Sequence, residues 1–385
     1  MQLADFDTGR FLRDYWQKKP LLIRSAWRSW NNPLEPDALA GLACEEEVES
    51  RLVTRTGDTW EVEHGPFAED RFGRLGKQGW TLLVQAVDQY VPEVAALLDP
   101  FRFVPNWRID DVMVSFAADG GGVGPHFDQY DVFLVQGLGR RRWRIGGHCD
   151  PESELLPNED LRLLAGFEAS EEWILEPGDI LYVPPGIAHE GVAVGEDCMT
   201  YSIGFRAPSR GDLIAHWSEH LLGEMRNEDR YADPDLRAEQ NPGEISDDAI
   251  DRLHAMVAET ILDRDSFARW FGRYSSTPKY PDLDWRPETP ITAGQMRERL
   301  ACEPDLRRNP ASRFSFIRQP AGSLILFADG ECFECGPEAA ALAERLCAQD
   351  RIAIDPGLAE SGPAVALIVK LFNQGSIVLG RDDEA

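Results

Sequence analysis

No stretch of this chain approaches the roughly 18 consecutive apolar residues that a membrane-spanning helix needs. Its first residues, MQLADFDTGRFLRDYWQKKPLLIRS, also lack the basic-then-apolar order of a secretory leader. Both absences lead to the expectation of a cytoplasmic protein with no membrane partner. Cysteine is sparse. Seven are scattered over 385 residues, an odd number that fits free thiols in a reducing compartment better than a disulfide frame. Cys332 and Cys335 form one C-x-x-C in a hairpin-like stretch, but no second pair stands at zinc-finger spacing, and a structural zinc needs four ligands. Positive charge is short as well: 39 Lys and Arg face 67 Asp and Glu, for a net charge of −28. Such a surface repels phosphate backbones and argues against direct nucleic-acid binding. It either serves solubility alone or draws in a basic protein partner. Internal repeats and low-complexity tracts are absent.

What is present is ample material for packed domains, with 43% hydrophobic residues, 11 Trp and 18 Phe. The length predicts two or three domains. Residues 1 to about 90 mix helical and extended signals, with short helices expected in FLRDYWQKKPLLI and from Asp37 to Ala43. From RIDDVMVSFAADGGG to Pro208 the pattern is strand after strand, as in DVFLVQG, RRWRIG, EEWILEPG, DILYVPPG and CMTYSIGF, broken by Gly and Pro. Short strands at regular spacing predict an all-β sandwich or barrel. Beyond Pro208 the spacing turns helical: RGDLIAHWSEHLLGEM carries Leu213, Trp217, Leu221 and Leu222 on one face. After a polar linker at 227–246, DDAIDRLHAMVAETIL follows Ser246 as N-cap, and SFARWFGRYSS makes a third helix. A proline-rich linker at 276–290 leads to a final block of helices around one two-stranded ribbon.

The chemistry concentrates in two segments of the strand-rich block. GGGVGPHFDQYDVF contains His126 and Asp128, and EPGDILYVPPGIAHEG brings His189 in 61 residues after the aspartate. Two imidazoles and one carboxylate form the set that holds Fe(II) on one face and leaves positions open for O2 and a co-substrate. The i, i+2 spacing fits a strand, where such residues point to one side. The Pro184-Pro185-Gly186 turn then presents His189 from a distant strand. In GRRRWRIGG, alternation puts Arg141, Trp143 and Ile145 on one face and Arg140, Arg142 and Arg144 on the other. Trp143 and Ile145 mark the first face as inner, which makes Arg141 a buried cation in need of an anion. Spacing leaves two candidates for that anion: a protein carboxylate, or the remote carboxylate of 2-oxoglutarate, whose 2-oxo acid end would chelate the metal. In MTYSIGFRAP, Met199, Tyr201, Ile203 and Phe205 share one face, with Thr200 and Ser202 opposite as candidate co-substrate contacts. His64, His148, His216, His220 and His254 have no comparable context.

Residues 100–208 resemble a JmjC-type cupin domain of the Fe(II)- and 2-oxoglutarate-dependent oxygenases. More closely, WRIDDVMVSFAADGGGVGPHFDQYDVFLVQGLGRRRWRIG, EPGDILYVPPGIAHEG and SIGFRAP resemble the bacterial ribosomal oxygenases, and the resemblance extends to the layout of nearly the whole chain. It implies a mixed fold: a JmjC cupin (double-stranded β-helix) core, a helical dimerisation segment and a C-terminal winged-helix-like α+β domain. The boundaries expected are 1–208 for the oxygenase domain (core 92–208), 209–280 for the helical segment and 288–385 for the last domain. By position, His126, Asp128 and His189 are the implied iron ligands. Arg141 is the implied holder of the remote carboxylate, where many eukaryotic relatives have Lys. The implied reaction uses Fe(II), 2-oxoglutarate and O2, releases succinate and CO2, and hydroxylates an arginine side chain of large-subunit ribosomal protein sixteen. That substrate is a basic protein, and Asp110, Asp111 or Asp119 would meet its guanidinium. A homodimer is implied too. Two readings compete: a JmjC hydroxylase or demethylase of another protein, and a metal-dependent cupin acting on a small molecule.

Overall fold

The computed structural model describes residues 3–57, 59–157, 161–226, 230–238 and 241–380. The chain forms two compact units, Met1–Ala207 and Pro208–Ala385. Parts of the linker expected at 227–246 lie outside the described residues.

The first unit is built on one nine-stranded sheet. Its strands are Leu21–Ile23 (β1), Ser50–Thr56 (β2), Thr59–His64 (β3), Trp80–Val84 (β4), Ile109–Ala117 (β5), Asp131–His148 (β6), Glu171–Leu175 (β7), Ile180–Val183 (β8) and Ile187–Phe205 (β9). The order is β1-β8-β6-β9-β5-β4-β2-β3, with β7 on the second half of β6. DVFLVQG and RRWRIG, distinct in sequence, are thus two halves of one strand. The strand breaks register around Gly137–Gly139, where β6 and β9 are irregularly paired. Such irregularities bend a strand. Val132 and Leu134 from the first half of β6 pack with Trp143, Ile145 and Leu175 around the second half. The sheet therefore closes on itself around one interior, as a double-stranded β-helix does.

The outer face of the first half of β6 is also covered. Asp7 caps the helix Thr8–Asp14 by accepting from the Arg10 N–H at 2.9 Å. That helix sets Phe11 against Phe133 and Tyr182 at ring-centroid distances of 5.4 and 4.9 Å. Beneath them the fully buried Asp131 accepts hydrogen bonds from Tyr182 Oη at 2.6 Å and Gln17 Nε2 at 2.9 Å, and Arg108 pairs with it at 3.2 Å. A buried carboxylate survives because each oxygen is satisfied. The N-terminal segment is therefore part of the barrel's core, and Met199, Tyr201, Ile203 and Phe205 of β9 complete the same cluster.

In the second unit, helices Arg210–Glu224 and Arg264–Ser276 share a small aromatic core of Trp217, Leu221 and Trp270. Between them runs Asp247–Ile261, which buries no residue and leaves Ile250, Leu253, Val257 and Ile261 half-exposed along one face. Ser246 stands at its N-cap without the side-chain hydrogen bond expected there. Residues 277–292 contain no regular element. The last block packs helices Ala293–Cys302, Pro337–Ala348 and Gly362–Gln374 with two three-stranded sheets. The two-stranded ribbon expected here is corrected to three strands, because Phe314–Arg318, Leu324–Ala328 and Glu331–Cys335 pair in succession. Short strands Asp305–Arg308, Arg351–Ala353 and Ile377–Leu379, too short to show alternation, form the other sheet.

Candidate metal centre

His126, Asp128 and His189 meet inside the barrel, with one ring nitrogen from each histidine and a carboxylate oxygen all within 4.8 Å of one another. The expectation that a regular strand carries His126 and Asp128 is corrected. Both lie in the loop between β5 and β6, and only His126 makes a ladder pair, with His189. The run Gly120–Pro125 explains the break: glycine weakens a strand, and Pro125 has no N–H to give. Three backbone hydrogen bonds replace the strand. His126 N–H donates to the His189 carbonyl at 3.0 Å, His189 N–H returns the bond at 2.8 Å, and Gly186 N–H donates to the Asp128 carbonyl at 2.7 Å. Gly186 itself needs φ +77°, and a Cβ there would lie 2.7 Å from His148 Nε2 and 3.1 Å from the Cys149 carbonyl.

The tautomers follow from the partners. His126 Nδ1 is 2.9 Å from the Gly124 carbonyl and His189 Nδ1 is 2.9 Å from the Ile187 carbonyl. A carbonyl only accepts, so each Nδ1 carries a proton and the Nε2 atoms are the ones left to face the interior. His189 Nε2 stands 3.6 Å from Asp128 Oδ2. Burial, and then the neighbouring His126 ring, hold the His189 imidazole down at about 4 against the opposing pull of Asp128. A neutral ring is the form a metal takes. Tyr130, 42% exposed, follows two residues after Asp128. Burial and the Asp128 charge push that phenol well above its ordinary value, so it stays protonated.

Arg141 lies where alternation puts it, 5% exposed, with Trp143 and Ile145 on its face and Arg140, Arg142 and Arg144 on the other. Its Nε donates to Cys198 Sγ at 3.5 Å. Among the described residues it makes no ion pair, and its buried Nη2 has no hydrogen-bond partner. Arg144, outside, pairs with Glu190 instead. Register puts Thr200 opposite Gln136 and Ser202 opposite Leu134 on the interior face. The Thr200 hydroxyl donates to Gln136 Oε1 at 3.3 Å, and Ser202 is half-buried. The expected role of Asp111 in holding a substrate cation is corrected, because the residue is 3% exposed. Buried Asp111 accepts from Gln85 Nε2 at 2.7 Å and Ala86 N–H at 2.9 Å. Asp119 accepts from Gly195 N–H at 2.8 Å and Gln78 Nε2 at 3.1 Å.

Sequence reasoning missed Gln136, Cys198 and Tyr130. Gln136 stands two beyond Leu134 on β6, so period-two counting reaches it once the inner face is known, whereas Tyr130 lies in the loop before β6, where alternation does not apply. Cys198 becomes visible only when β9 is laid against β6. The donor set fits Fe(II), with two imidazole nitrogens and one carboxylate grouped within bonding range of a single ion. The orphaned guanidinium nitrogen fits a carboxylate on the same interior.

A JmjC domain model matches residues 96–213, a ROXA-like winged-helix model residues 258–377 and an AraC-like ligand-binding-domain model residues 168–259. The ribosomal protein uL16 3-hydroxylase of Escherichia coli (strain K12) is 45% identical over 280 residues, which span 73% of this chain and 74% of that protein. A probable ribosomal oxygenase of Haemophilus influenzae is 39% identical over 275 residues, 68% of this chain and 66% of that protein. Among solved structures, Escherichia coli YcfD, a ribosomal oxygenase in complex with cobalt and 2-oxoglutarate, superposes at TM-score 0.86 with 37% identity, covering 99% of each chain. An X-ray structure of the same protein gives TM-score 0.89 at 36% identity, covering 99% of this chain and 100% of that one.

Proposed function

Because the chain belongs to the JmjC-domain ribosomal oxygenases, we propose that it hydroxylates an arginine side chain of large-subunit ribosomal protein sixteen (uL16), using Fe(II), 2-oxoglutarate and O2. What supports the co-substrate most directly is Arg141, a buried cation whose Nη2 has no partner and whose face of β6 is continuous with the metal site. Bound there, Fe(II) and 2-oxoglutarate supply the oxidising chemistry: O2 is reduced as the 2-oxo acid loses CO2 to become succinate, and one oxygen atom enters a C–H bond of the substrate.

In this reading His126, Asp128 and His189 are the metal ligands. The carbonyls of Gly124 and Ile187 hold the Nδ1 protons, so both Nε2 lone pairs stay aimed at the metal. The reciprocal backbone pair keeps the two rings together before any ion arrives, with centroids 4.3 Å apart. Arg141 neutralises the remote carboxylate of the co-substrate, and Thr200 and Ser202 complete the polar part of the wall. The barrel walls exclude water from the reacting centre. A net charge of −28 favours encounter with a basic ribosomal protein, and a ribosomal substrate puts the reaction in the cytoplasm. No helix among the described residues is long and apolar enough to cross a membrane.

The reading includes a homodimer formed through residues 209–280. The support is the half-exposed stripe of Ile250, Leu253, Val257 and Ile261 on a helix that buries no side chain among the described residues. The boundaries 1–208, 209–280 and 288–385 are proposed as the functional division of the chain. Succinate release tests the activity. With purified enzyme, Fe(II) and 2-oxoglutarate, addition of uL16 should accelerate succinate formation, and an Asp128→Ala enzyme should form none. Acceleration by other basic proteins and not by uL16 would retain the oxygenase and reject the substrate.

A further inference from the structure

Arg141 is not the only orphan on its wall of the barrel. Trp143 is 5% exposed, and its indole Nε1, like Arg141 Nη2, is buried without a hydrogen-bond partner. The two residues stand two apart on β6, so they share the interior face. The guanidinium carbon lies 5.8 Å from the centre of the indole, and the indole lies 5.9 Å from the ring of His189. In register, Arg141, Trp143 and Ile145 oppose Ala193, Gly191 and His189. Trp143 thus occupies the step between the cation and the metal ligand. Gly191 makes room for it: a Cβ there would lie 2.7 Å from the six-membered part of the indole.

The chemistry of the two orphans narrows the ligand. Arg and Trp side chains donate and never accept. Two acceptors on this wall are already engaged, since Cys198 Sγ faces Arg141 Nε at 3.5 Å and Gln136 Oε1 takes the Thr200 hydroxyl. A hydroxyl or amide ligand brings donors of its own, whereas a carboxylate brings only acceptors and has lone pairs for both nitrogens. Resting on the assignment of 2-oxoglutarate as co-substrate, we propose that Trp143 Nε1 is the second donor to the carboxylate that Arg141 holds. The remote end of the co-substrate is then read by one charged and one neutral N–H. An indole that only fills space keeps Nε1 unpaired whether or not the ligand is bound, which separates the two roles experimentally.

The experiment is anaerobic calorimetry on the full-length Fe(II) enzyme with two ligands, 2-oxoglutarate and pyruvate. Pyruvate shares the chelating 2-oxo acid end and lacks the remote carboxylate. Trp143→Phe should weaken 2-oxoglutarate about tenfold or more, as expected for a lost bond to a charged group, and leave pyruvate and Fe(II) affinities unchanged. Wild-type affinity for 2-oxoglutarate in Trp143→Phe, or equal weakening of both ligands, would overturn the proposal. Arg141→Ala run alongside separates the two levels. If it weakens 2-oxoglutarate while Trp143→Phe does not, only the indole's role fails. If neither variant affects 2-oxoglutarate, the co-substrate reading fails and the proposal goes with it.

A second measurement does not depend on the variant's folding. In the zinc-loaded wild-type enzyme, the indole N–H resonance nearest the metal, identified by its broadening when Mn(II) replaces zinc, should move downfield with 2-oxoglutarate and not with pyruvate. A resonance that ignores 2-oxoglutarate contradicts the proposal.

Discussion

Arg141 is the residue on which the co-substrate assignment turns. Among the described residues its guanidinium has only a weak sulfur acceptor at Nε and none at Nη2, which is the ground for assigning it the remote carboxylate of the co-substrate. Arg141→Ala should therefore raise the 2-oxoglutarate concentration for half-maximal succinate formation roughly 10- to 100-fold, the range for a lost hydrogen bond to a charged group. Metal affinity should be unchanged, because the three candidate ligands are His126, Asp128 and His189. Unchanged co-substrate dependence would mean that the cation serves the fold alone. This residue was legible in the sequence because alternation is a rigid rule within a strand: Trp143 and Ile145 fixed the inner face, and Arg141 followed. The carboxylates offered for the substrate were not legible in the same way. Asp111 is buried and spent on local amide groups, and nothing in spacing alone reports which backbone N–H a carboxylate will meet.

At the scale of elements, the site depends on a turn and a loop more than on strands. Gly186 closes the turn before His189 with φ +77°, and its N–H ties that turn to the Asp128 carbonyl. Gly186→Ala should cost about 1–2 kcal/mol of stability from the left-handed backbone alone. It should also weaken metal binding by displacing the link to Asp128. Urea unfolding and Fe(II) titration check the two effects. A variant with wild-type metal affinity would show that the turn does not position the triad. The strands themselves were largely legible, but as fragments: β6 and β9 each read as two pieces because Gly137–Gly139 and the segment near Gly195 interrupt the pattern. Their continuity depends on pairing between distant segments, which periodicity within one segment cannot report. The same limit hid the third strand of the ribbon at 314–335, and the glycine run concealed that His126 and Asp128 sit in a loop.

At the scale of the whole molecule, charge and the exposed helical stripe make separate predictions. With −28 on the enzyme and a basic substrate, the association rate with uL16 should fall several-fold between about 50 and 300 mM salt, because screening shortens the reach of surface charge. Stopped-flow binding tests this, and a salt-independent rate would rule out steering by surface charge. Replacing Ile250 and Val257 together by Asp should convert a dimer to a monomer in light scattering, since both side chains lie on the stripe that its own chain leaves uncovered. A monomeric wild type would remove the dimer from the reading. The central claim is tested most directly by intact-protein mass spectrometry of uL16 after incubation with the enzyme, Fe(II), 2-oxoglutarate and O2, with a His126→Ala enzyme as control. The expected result is a gain of one oxygen atom, localised to an arginine and absent from the control. An unmodified uL16 alongside active succinate formation would contradict it.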